Sequence, residues 1–554
     1  MSSEVLSLSR LLRALSRAAS HWPASPLAAR LCRGTSATTN PLIPRFRRAI
    51  RHLMLAILSI VATGSIPSKA TTHPGVEESW QKVPCPFDSA KASLPVTCGR
   101  LKVPENYDRP EGRAIEIAFM VISAQRKTDP DHPVIFLSGG PGSPSLVHAE
   151  RLVSSPGIRK TVTDRDWVFF DQRGGGRSVP ALYCPPSKDA WLDQVKACRD
   201  KFLKEGVDLS QYNSARIARD VEALRKALGV KQWNLWADSY GSRLALTIAR
   251  YYPASVRAIV HDGADLPEDQ EMVDDFVGTE VALDRLFSKC AGDAACASRY
   301  PELRSRFVAA LSRLRQQPLS TGDGLLDDGA VMGFVRGWFF GGSYLTFEYR
   351  VQNLLTYMDA AARGDGELMV RIDHKMTQQN DINKGPPAKT PFPVEGKYHI
   401  GQNLSIDCNE EKSFESMDEY RQAAAKSEIV RSLFGADGGL GNFKTCALWP
   451  SGAADPIENT HVSWDGPQLV FTGELDASLS GMAGYKIAML YAKATNVVFE
   501  NGEHIEVTME DADTSNDWNY YRLCAAGLAR QFLSDPQSTL DTRCARTRKL
   551  RLVP

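Results

Sequence analysis

Short apolar runs alternate with helical patterns along the chain from about residue 100. Several runs are continuously apolar, which is typical of strands buried on both faces of a parallel sheet. Helical periodicity fills the intervals, as in Ser214–Leu228, where Ser214 is a candidate N-cap and Gly229 follows the last turn. The pattern therefore predicts an α/β sheet with helices on both faces. The predicted strands are Ala114–Ser123, Pro133–Leu137, Asp166–Phe170, Trp233–Trp236, Arg257–His261, Gln468–Thr472 and Asn496–Glu500.

The alternation stops between about Val273 and Phe443, where the patterns are helical and rich in Arg, Ala and Leu. Strand signals return only at Gln468. We therefore predict that residues 273–443 form a largely helical cap, inserted between two halves of one core at 71–272 and 444–554. An aromatic cluster in this region, Phe334–Tyr349, either lines an apolar pocket or fills the interior of the cap.

Residues 1–70 have a different composition and predict an N-terminal extension followed by a signal peptide. The basic stretch Arg45–Arg51 precedes the apolar run Leu53–Val61, and small residues follow up to Ala70. The run is too short for a membrane-spanning helix, which needs about 20 residues. A signal peptide at about 45–70 predicts a periplasmic or secreted protein without a stable membrane span in the mature chain. An organelle-targeting segment is the alternative.

The cysteines also favour export. The chain has 11, of which Cys32 lies in the removable segment, leaving an even number. Such a set without metal-ligand spacing fits disulfides in an oxidising compartment, although the sequence does not fix their connectivity. Neither Cys-x-x-Cys nor His-Glu-x-x-His occurs, so we expect no metal and no cofactor. The sequence-local couples are Cys85/Cys98, Cys184/Cys198, Cys290/Cys296, Cys408/Cys446 and Cys524/Cys544.

The overall composition is that of an ordinary soluble protein. The 554 residues are 43% hydrophobic and 24% charged, which gives enough chain for a large core and more than one domain. The formal net charge is only +1, so charge gives no reason to expect nucleic acid or anionic lipid as a partner.

A serine stands where a predicted strand passes into a helix, in the stretch Ala237-Asp238-Ser239-Tyr240-Gly241. A small residue two before and two after such a serine allows the sharp strand-to-helix turn known as a nucleophile elbow. The turn would expose the hydroxyl at the N-terminus of a helix, where negative charge is stabilised. An ordinary turn is the alternative, and partners for Ser239 decide between the two.

Candidate partners follow the last two predicted strands. Asp476 follows Gln468–Thr472, and His504 follows Asn496–Glu500, so the chain order is serine, acid, histidine. A serine hydroxyl needs a base to take its proton and a carboxylate to orient that base. Glu474 is a second carboxylate close to Asp476 and the alternative acid.

Two glycine-rich stretches remain. Gly139 and Gly140 follow a predicted strand, so their N–H groups, with that of Tyr240, would form an oxyanion hole. A tight surface turn is the alternative. The stretch Asp171–Ser178 lacks the spacing of a phosphate-binding loop and predicts a structural turn that supports the site.

With these residues in place, the chain resembles the family of secreted tripeptidyl aminopeptidases and proline iminopeptidases, which are α/β-hydrolase serine peptidases. The resemblance rests on segments in the family's order, and it implies an α/β-hydrolase fold with a helical cap. The matching segments are "CGRLKVPENYDRP", "GGPGSP", "DWVFFDQRGGGRS", "WADSYGSRLALTIARYYP", "AIVHDGA", "FTGELD", "NGEH" and "CAAGLARQFLSDPQSTLDTRC".

The resemblance implies an exopeptidase that acts on peptides with a free N-terminus. Family roles carried over by position make Ser239 the nucleophile, Asp476 the acid and His504 the base. An acid in "SIDCNEE" would bind the substrate ammonium, and Glu410 is the candidate; a solvated acid beside a disulfide is the alternative. An esterase on the same fold, or a binding protein without catalysis, are the alternative functions.

The chain also departs from the family pattern around these groups. The acid loop at 476–480 reads Asp-Ala-Ser-Leu-Ser where Asp-x-x-Thr-Pro is typical of the family. Ser138, Ser242 and Glu503 stand where the family often has His, Gly and Gly. None of the departures removes a catalytic group, but together they leave the substrate preference open.

Overall fold

The computed structural model describes residues 80–554 apart from 88, 90–91, 155–161, 163, 341–344, 385–397, 479 and 505–516. The predicted signal peptide and N-terminal extension lie outside the described residues. The described residues form one compact unit, and the predicted boundaries of the cap within it, 273 and 443, stay a prediction.

The described residues of this unit form a nine-stranded sheet in the order β1-β2-β3-β5-β4-β6-β7-β10-β11. The pairings β1–β2, β2–β3 and β3–β5 are antiparallel. The remaining pairings in this order, from β5 to β11, are parallel. The strands are β1 Trp80–Val83, β2 Val96–Pro104, β3 Ala114–Ile122, β4 Val134–Leu137, β5 Trp167–Phe170, β6 Trp233–Asp238, β7 Val256–Asp262, β10 Gln468–Gly473 and β11 Ala494–Phe499. All seven strands predicted from apolar runs are confirmed, with ends shifted by at most two residues.

Helices cover both faces of the sheet and bury its two apolar surfaces in separate clusters. One cluster is built on the helices Ser214–Ala227 and Tyr240–Tyr251, and the other on Ser145–Ser154 and Asp517–Ser534. The fold class predicted from the sequence is therefore confirmed. The helices of this layer are α1 Ser145–Ser154, α2 Trp191–Lys204, α3 Ser214–Ala227, α4 Tyr240–Tyr251, α15 Ser480–Leu490 and α16 Asp517–Ser534.

Between β7 and β10 the described chain is helical apart from one short hairpin, as the sequence predicts. The hairpin consists of β8 Leu319–Thr321 and β9 Gly324–Leu326. The helices are α5 Glu271–Gly292, α6 Ala294–Arg299, α7 Leu303–Gln316, α8 Asp328–Phe340, α9 Phe347–Arg363, α10 Gly366–Lys384, α11 Ile400–Glu410, α12 Met417–Lys426, α13 Glu428–Phe434 and α14 Leu440–Leu448.

The apolar interior of these helices also holds parts of the core. Leu475 and Ala477, which flank Asp476, are fully buried in it, and Leu552 from the C-terminus joins them. The helical region is therefore packed directly onto the loop that carries the candidate acid.

Candidate active site

Ser239 occupies a strained backbone position between β6 and α4. Its φ of 55° and ψ of −126° lie in a region that residues other than glycine rarely adopt, and such strain clusters at functional sites. Gly241 makes the turn possible, because a Cβ there would lie 2.1 Å from the carbonyl oxygen of Leu137. The backbone N–H of Ser239 donates to the carbonyl of Asp262 at 3.0 Å, which ties the elbow to β7. These are the features of a nucleophile elbow.

Asp476 and His504 lie together, after β10 and β11. Oδ2 of Asp476 is 2.9 Å from Nδ1 of His504, and Oδ1 accepts hydrogen bonds from the N–H and hydroxyl of Ser478 at 3.1 and 2.7 Å. A carboxylate facing Nδ1 requires the proton there, which leaves Nε2 free to act as a base. The alternative acid is excluded from this contact, since Oε2 of Glu474 accepts the N–H of Asn501 at 2.8 Å instead.

The environment of His504 changes its basicity. Burial lowers the pKa of the imidazole, but the charge of Asp476 and its hydrogen bond, with Asp262 and Asp275 further away, more than offset this. The net pKa lies above the ordinary histidine value. Within the described part of the chain the Ser239 hydroxyl makes no hydrogen bond to the ring, and such contacts commonly tighten only with substrate bound.

Another histidine close to a strand end, His261, has a different environment. Its side chain is fully buried, and its Nε2 lies 2.9 Å from Oε1 of Gln468. Burial lowers its pKa to about 4, so it remains neutral at physiological pH.

The glycine loop after β4 lies directly beside Ser239. A Cβ at Gly139 would lie 2.8 Å from the Ser239 Cβ and 3.4 Å from its hydroxyl, so only glycine allows this approach. Gly140 adopts a φ of 115°, which also requires glycine. Nε2 of Gln172, in the second glycine-rich stretch, donates to the carbonyl of Ser138 at 3.0 Å and holds the loop from below.

Glu410 is buried beneath the elbow helix. It is 1% exposed; one carboxylate oxygen accepts the N–H of Ser214 at the start of α3, and the other lies 3.2 Å from Nε of Arg243 in the elbow helix. Both oxygens therefore make contacts inside the protein. The assignment of Glu410 to the substrate ammonium stays a prediction.

Other carboxylates surround this contact, in the last turn of α11 and in the segment between β7 and the start of α5. We call Asp265, Glu271, Asp407 and Glu411 the acid cluster. Burial raises the pKa values of Asp265, Asp407 and Glu411 well above their usual range, and neighbouring carboxylates add to the effect. Two cations balance the cluster only in part, and both also bind other acids. Arg243 lies 2.6 Å from Glu411 and also contacts Glu410, while Lys412 lies 3.3 Å from Glu271 and 3.0 Å from Glu415.

Tyr398 connects the acid cluster to the glycine loop. Cβ atoms built at Gly140 and Gly142 would lie 3.2 and 3.3 Å from its ring. Burial of the Tyr398 hydroxyl raises its pKa, and the charges of Asp407 and Glu271 raise it further. The sequence missed the cluster, although Asp407 and Glu411 stand in the same "SIDCNEE" stretch as Glu410.

Some residues of the aromatic cluster Phe334–Tyr349 line the site, and others fill the interior of the helical region. Phe340 stacks on His504, with ring centroids 4.7 Å apart, and so lines the site. Phe334 stacks on Tyr357 at 3.9 Å, and Phe339 stacks on Phe347 at 5.9 Å, within the helical region.

All five predicted cysteine couples are disulfides: Cys85–Cys98, Cys184–Cys198, Cys290–Cys296, Cys408–Cys446 and Cys524–Cys544. Among the described residues, no group of three or more His, Cys, Asp or Glu side chains is arranged to hold a metal ion. In the same part of the chain, no helix has the length and apolar character needed to cross a membrane.

A strained serine between a parallel strand and a helix, backed by a histidine–aspartate pair after later strands, is the arrangement of serine hydrolases with the α/β-hydrolase fold. Residues 132–317 match the family described as alpha/beta hydrolase fold. The chain therefore has the α/β-hydrolase fold, and its site contains the groups of a serine hydrolase.

Named relatives agree with the resemblance read from the sequence. Serine protease Hip1 of Mycobacterium tuberculosis is 25% identical over 513 residues, which cover 83% of this chain and 92% of Hip1. The tripeptidyl aminopeptidase of Streptomyces coelicolor is 29% identical over 194 residues, 31% of this chain and 36% of that protein. Among solved structures, proline iminopeptidase of Mycobacterium smegmatis aligns with 78% of this chain and 99% of its own at 14% identity, with a TM-score of 0.33.

Proposed function

We propose that the chain is an exported serine exopeptidase that releases N-terminal residues or short peptides from substrates with a free N-terminus. The observation that carries the proposal is the acid cluster, two of whose carboxylates act on Tyr398, the residue that lies beside the glycine loop next to Ser239. Peptide substrates also agree with the names of the relatives, which include a serine protease and a tripeptidyl aminopeptidase.

In the proposed reaction, the Ser239 oxygen attacks the scissile carbonyl carbon while Nε2 of His504 takes the hydroxyl proton. Asp476 keeps the ring in the required tautomer and stabilises the imidazolium. The leaving amine takes the proton from His504, and water then hydrolyses the acyl-enzyme by the same steps in reverse order.

The oxyanion formed in the attack needs donors that are already in position. The N–H of Tyr240 stands at the start of α4, and the N–H groups of Gly139 and Gly140 belong to the loop that contacts Ser239. Removal of one such donor typically costs about 10²–10³ in rate, or roughly 3–4 kcal/mol.

The substrate ammonium replaces the missing counter-charge of the acid cluster. Because burial and mutual repulsion raise the pKa of three of its carboxyls, a bound cation would be stabilised strongly there. Asp407 and Glu271 are the candidates, because both are partly exposed and both act on Tyr398 beside the glycine loop. Binding at this position would place the peptide's first residues between the cluster and Ser239.

Export is supported by the five disulfides, because such bonds persist in oxidising compartments. The signal peptide predicted at about 45–70 would direct this export, and cleavage after Ala70 would leave every paired cysteine in the mature chain.

The test is an assay of the oxidised protein on three substrate sets: aminoacyl and tripeptidyl chromogenic amides, the same amides N-acetylated, and short aryl esters. We expect cleavage of the free amides, weaker cleavage of the acetylated ones and loss of activity in Ser239→Ala. An esterase would use the same three groups, so hydrolysis of esters alone would replace the peptidase proposal. Failure to turn over any substrate set would favour a binding protein.

A matched pair of variants tests the acid cluster itself. Asp407→Asn should raise KM for free amides by about tenfold, which corresponds to roughly 1.4 kcal/mol, and leave KM for acetylated amides unchanged. Asp418→Asn removes an exposed carboxylate that pairs with Arg421 and should change neither constant. Equal effects of Asp407→Asn on both substrate forms would contradict ammonium binding by the cluster.

A further inference from the structure

The loop that carries His504 is held from outside the sheet. Asn501 has a φ of 56°, an unusual conformation for asparagine. Its side-chain amide donates to the carbonyl of Arg548 at 2.7 Å, and Nη1 of Arg548 donates back to the carbonyl of Asn501 at 2.9 Å. The C-terminal segment therefore fixes the turn that precedes the catalytic histidine.

The next tie comes from the helical region. Arg350 of α9 donates through Nη2 to Oε2 of Glu503, the residue directly before His504, and both side chains are buried. Arg350 also donates to the carbonyls of Trp338 at 2.7 Å and Leu345 at 3.4 Å. Removal of one partner from such a buried pair is strongly destabilising, since the other charge is left without a counter-ion.

Aromatic rings complete the contact. Phe340, the last residue of α8, stacks on the imidazole of His504. Phe347, at the start of α9, lies between two guanidinium groups, with Arg350 at 5.1 Å and Arg548 at 5.4 Å from its ring centre. The end of α8, the start of α9 and the C-terminal segment thus meet around the histidine loop.

The acid loop is held by the same region. The Thr279 hydroxyl of α5 donates to the carbonyl of Ala477 at 2.8 Å, next to Asp476. Gly473 contacts the histidine loop backbone so closely that a Cβ there would lie 2.1 Å from the Glu503 carbonyl oxygen. Displacement of either loop therefore disturbs the other.

We propose that Arg350 is a positioning residue: through Glu503 it couples the placement of the helical region to the orientation of His504. The family resemblance has glycine at position 503, so this chain has a charged tie where the common pattern has no side chain. The proposal rests on the function of His504 as the base proposed above. In this proposal α8 and α9 form a wall of the substrate site, and their packing against the histidine loop is also required for catalysis.

Four variants separate positioning from mere stability. Arg350→Met leaves the buried carboxylate of Glu503 without a partner. Arg350→Lys keeps a positive charge but loses the planar set of donors. The double variant Arg350→Met with Glu503→Gln also removes the unpaired charge, so it should recover most of the decrease in Tm caused by Arg350→Met alone. The control is Arg306→Met, which removes a different ion pair, between Arg306 of α7 and Asp359 of α9.

For Arg350→Met we expect kcat to fall by about 10–10²-fold with KM within about twofold, because small misplacements of catalytic groups cost rate. Arg350→Lys should recover part of kcat. The double variant should recover Tm while kcat stays low. If the double variant regains wild-type kcat together with Tm, or if folded Arg350→Met keeps wild-type kcat, Arg350 is only structural.

A readout independent of substrate keeps this test apart from the proposed function. Diethylpyrocarbonate modifies accessible imidazoles, and the His504 side chain is 8% exposed in the intact protein. Peptide mapping should show slow modification of His504 in the wild type and in Arg306→Met, and faster modification by several-fold in Arg350→Met. An unchanged modification rate of His504 in Arg350→Met overturns the proposal, whichever substrate the enzyme uses. If instead the modification rate rises in Arg350→Met but the wild type turns over none of the substrates, only the proposed function is contradicted.

Discussion

Oδ2 of Asp476 lies 2.9 Å from Nδ1 of His504, and the two residues stand 28 positions apart in the loops that follow two neighbouring parallel strands. This contact fixes the ring tautomer and raises the pKa of the imidazole, against the lowering effect of burial. The pH dependence of the enzyme should follow from it.

Asp476→Asn tests the contact. The amide should favour the wrong tautomer, and kcat/KM should fall by about 10⁴-fold. Because Asp476 raises the pKa of His504, its loss should move the acid limb of the kcat/KM profile to lower pH. A pH profile for each protein checks both effects, and an acid limb that stays in place or moves upward would contradict the assigned cause.

The same pKa shift has a consequence for stability. The folded-state pKa of His504 lies above its unfolded value, so the pair stabilises the fold fully below a pH of about 6.5 and less as pH rises through the folded pKa. The difference in Tm between wild type and Asp476→Asn should therefore shrink between mildly acidic and alkaline pH. A difference that grows with pH would have the wrong sign.

Gly241→Ala tests the elbow. A Cβ at 2.1 Å from the Leu137 carbonyl oxygen cannot be accommodated without moving α4 or β4, so activity and Tm should both drop sharply. The matched control is Gly333→Ala in α8, where a Cβ meets no atom within 4 Å, and helix propensity predicts a gain of about 0.5–1 kcal/mol. Similar unfolding curves for the two variants would rule out the close approach at the elbow.

Glu410→Gln separates the structural contact of this residue from the ammonium role predicted from the sequence. The change should leave Arg243 with Glu411 as its charged partner beneath the elbow helix and lower stability by about 1–3 kcal/mol. The ratio of KM values for free and acetylated amides should stay as in the wild type. A selective rise in KM for free amides would support the ammonium role of Glu410.

The five disulfides predict the behaviour of the oxidised protein. Cys408–Cys446 closes the longest loop, with a sequence separation of 38, and its removal by alanine at both positions should cost about 3–4 kcal/mol. Peptide mapping without reduction should recover the five local couples. Free thiols in the exported protein would contradict the oxidising compartment.

The sequence predicted the parallel part of the sheet because its strands are continuous apolar runs such as Trp233–Trp236. It missed β1 and β2, the antiparallel strands at one end of the sheet, because polar residues such as Lys82 and Arg100 interrupt their apolar pattern. The chain order of Ser239, Asp476 and His504 was also readable, since the fold fixes which strand ends carry them.

The substrate side of the site could not be read in the same way. Whether Glu410 faces a pocket or an internal arginine depends on how α11 packs against α4, and no local pattern encodes that contact. The Arg350–Glu503 pair joins residues 153 positions apart, and a single charged residue before the histidine gave no indication of its partner.

The rate and position of fluorophosphonate labelling show whether the His504–Asp476 pair activates Ser239. Peptide mapping of the wild type should find one adduct, on Ser239, and none in Ser239→Ala. His504→Ala should form the same adduct at least about 10²-fold more slowly. An adduct on another residue, or an equal labelling rate without the histidine, would mean that the pair does not activate Ser239.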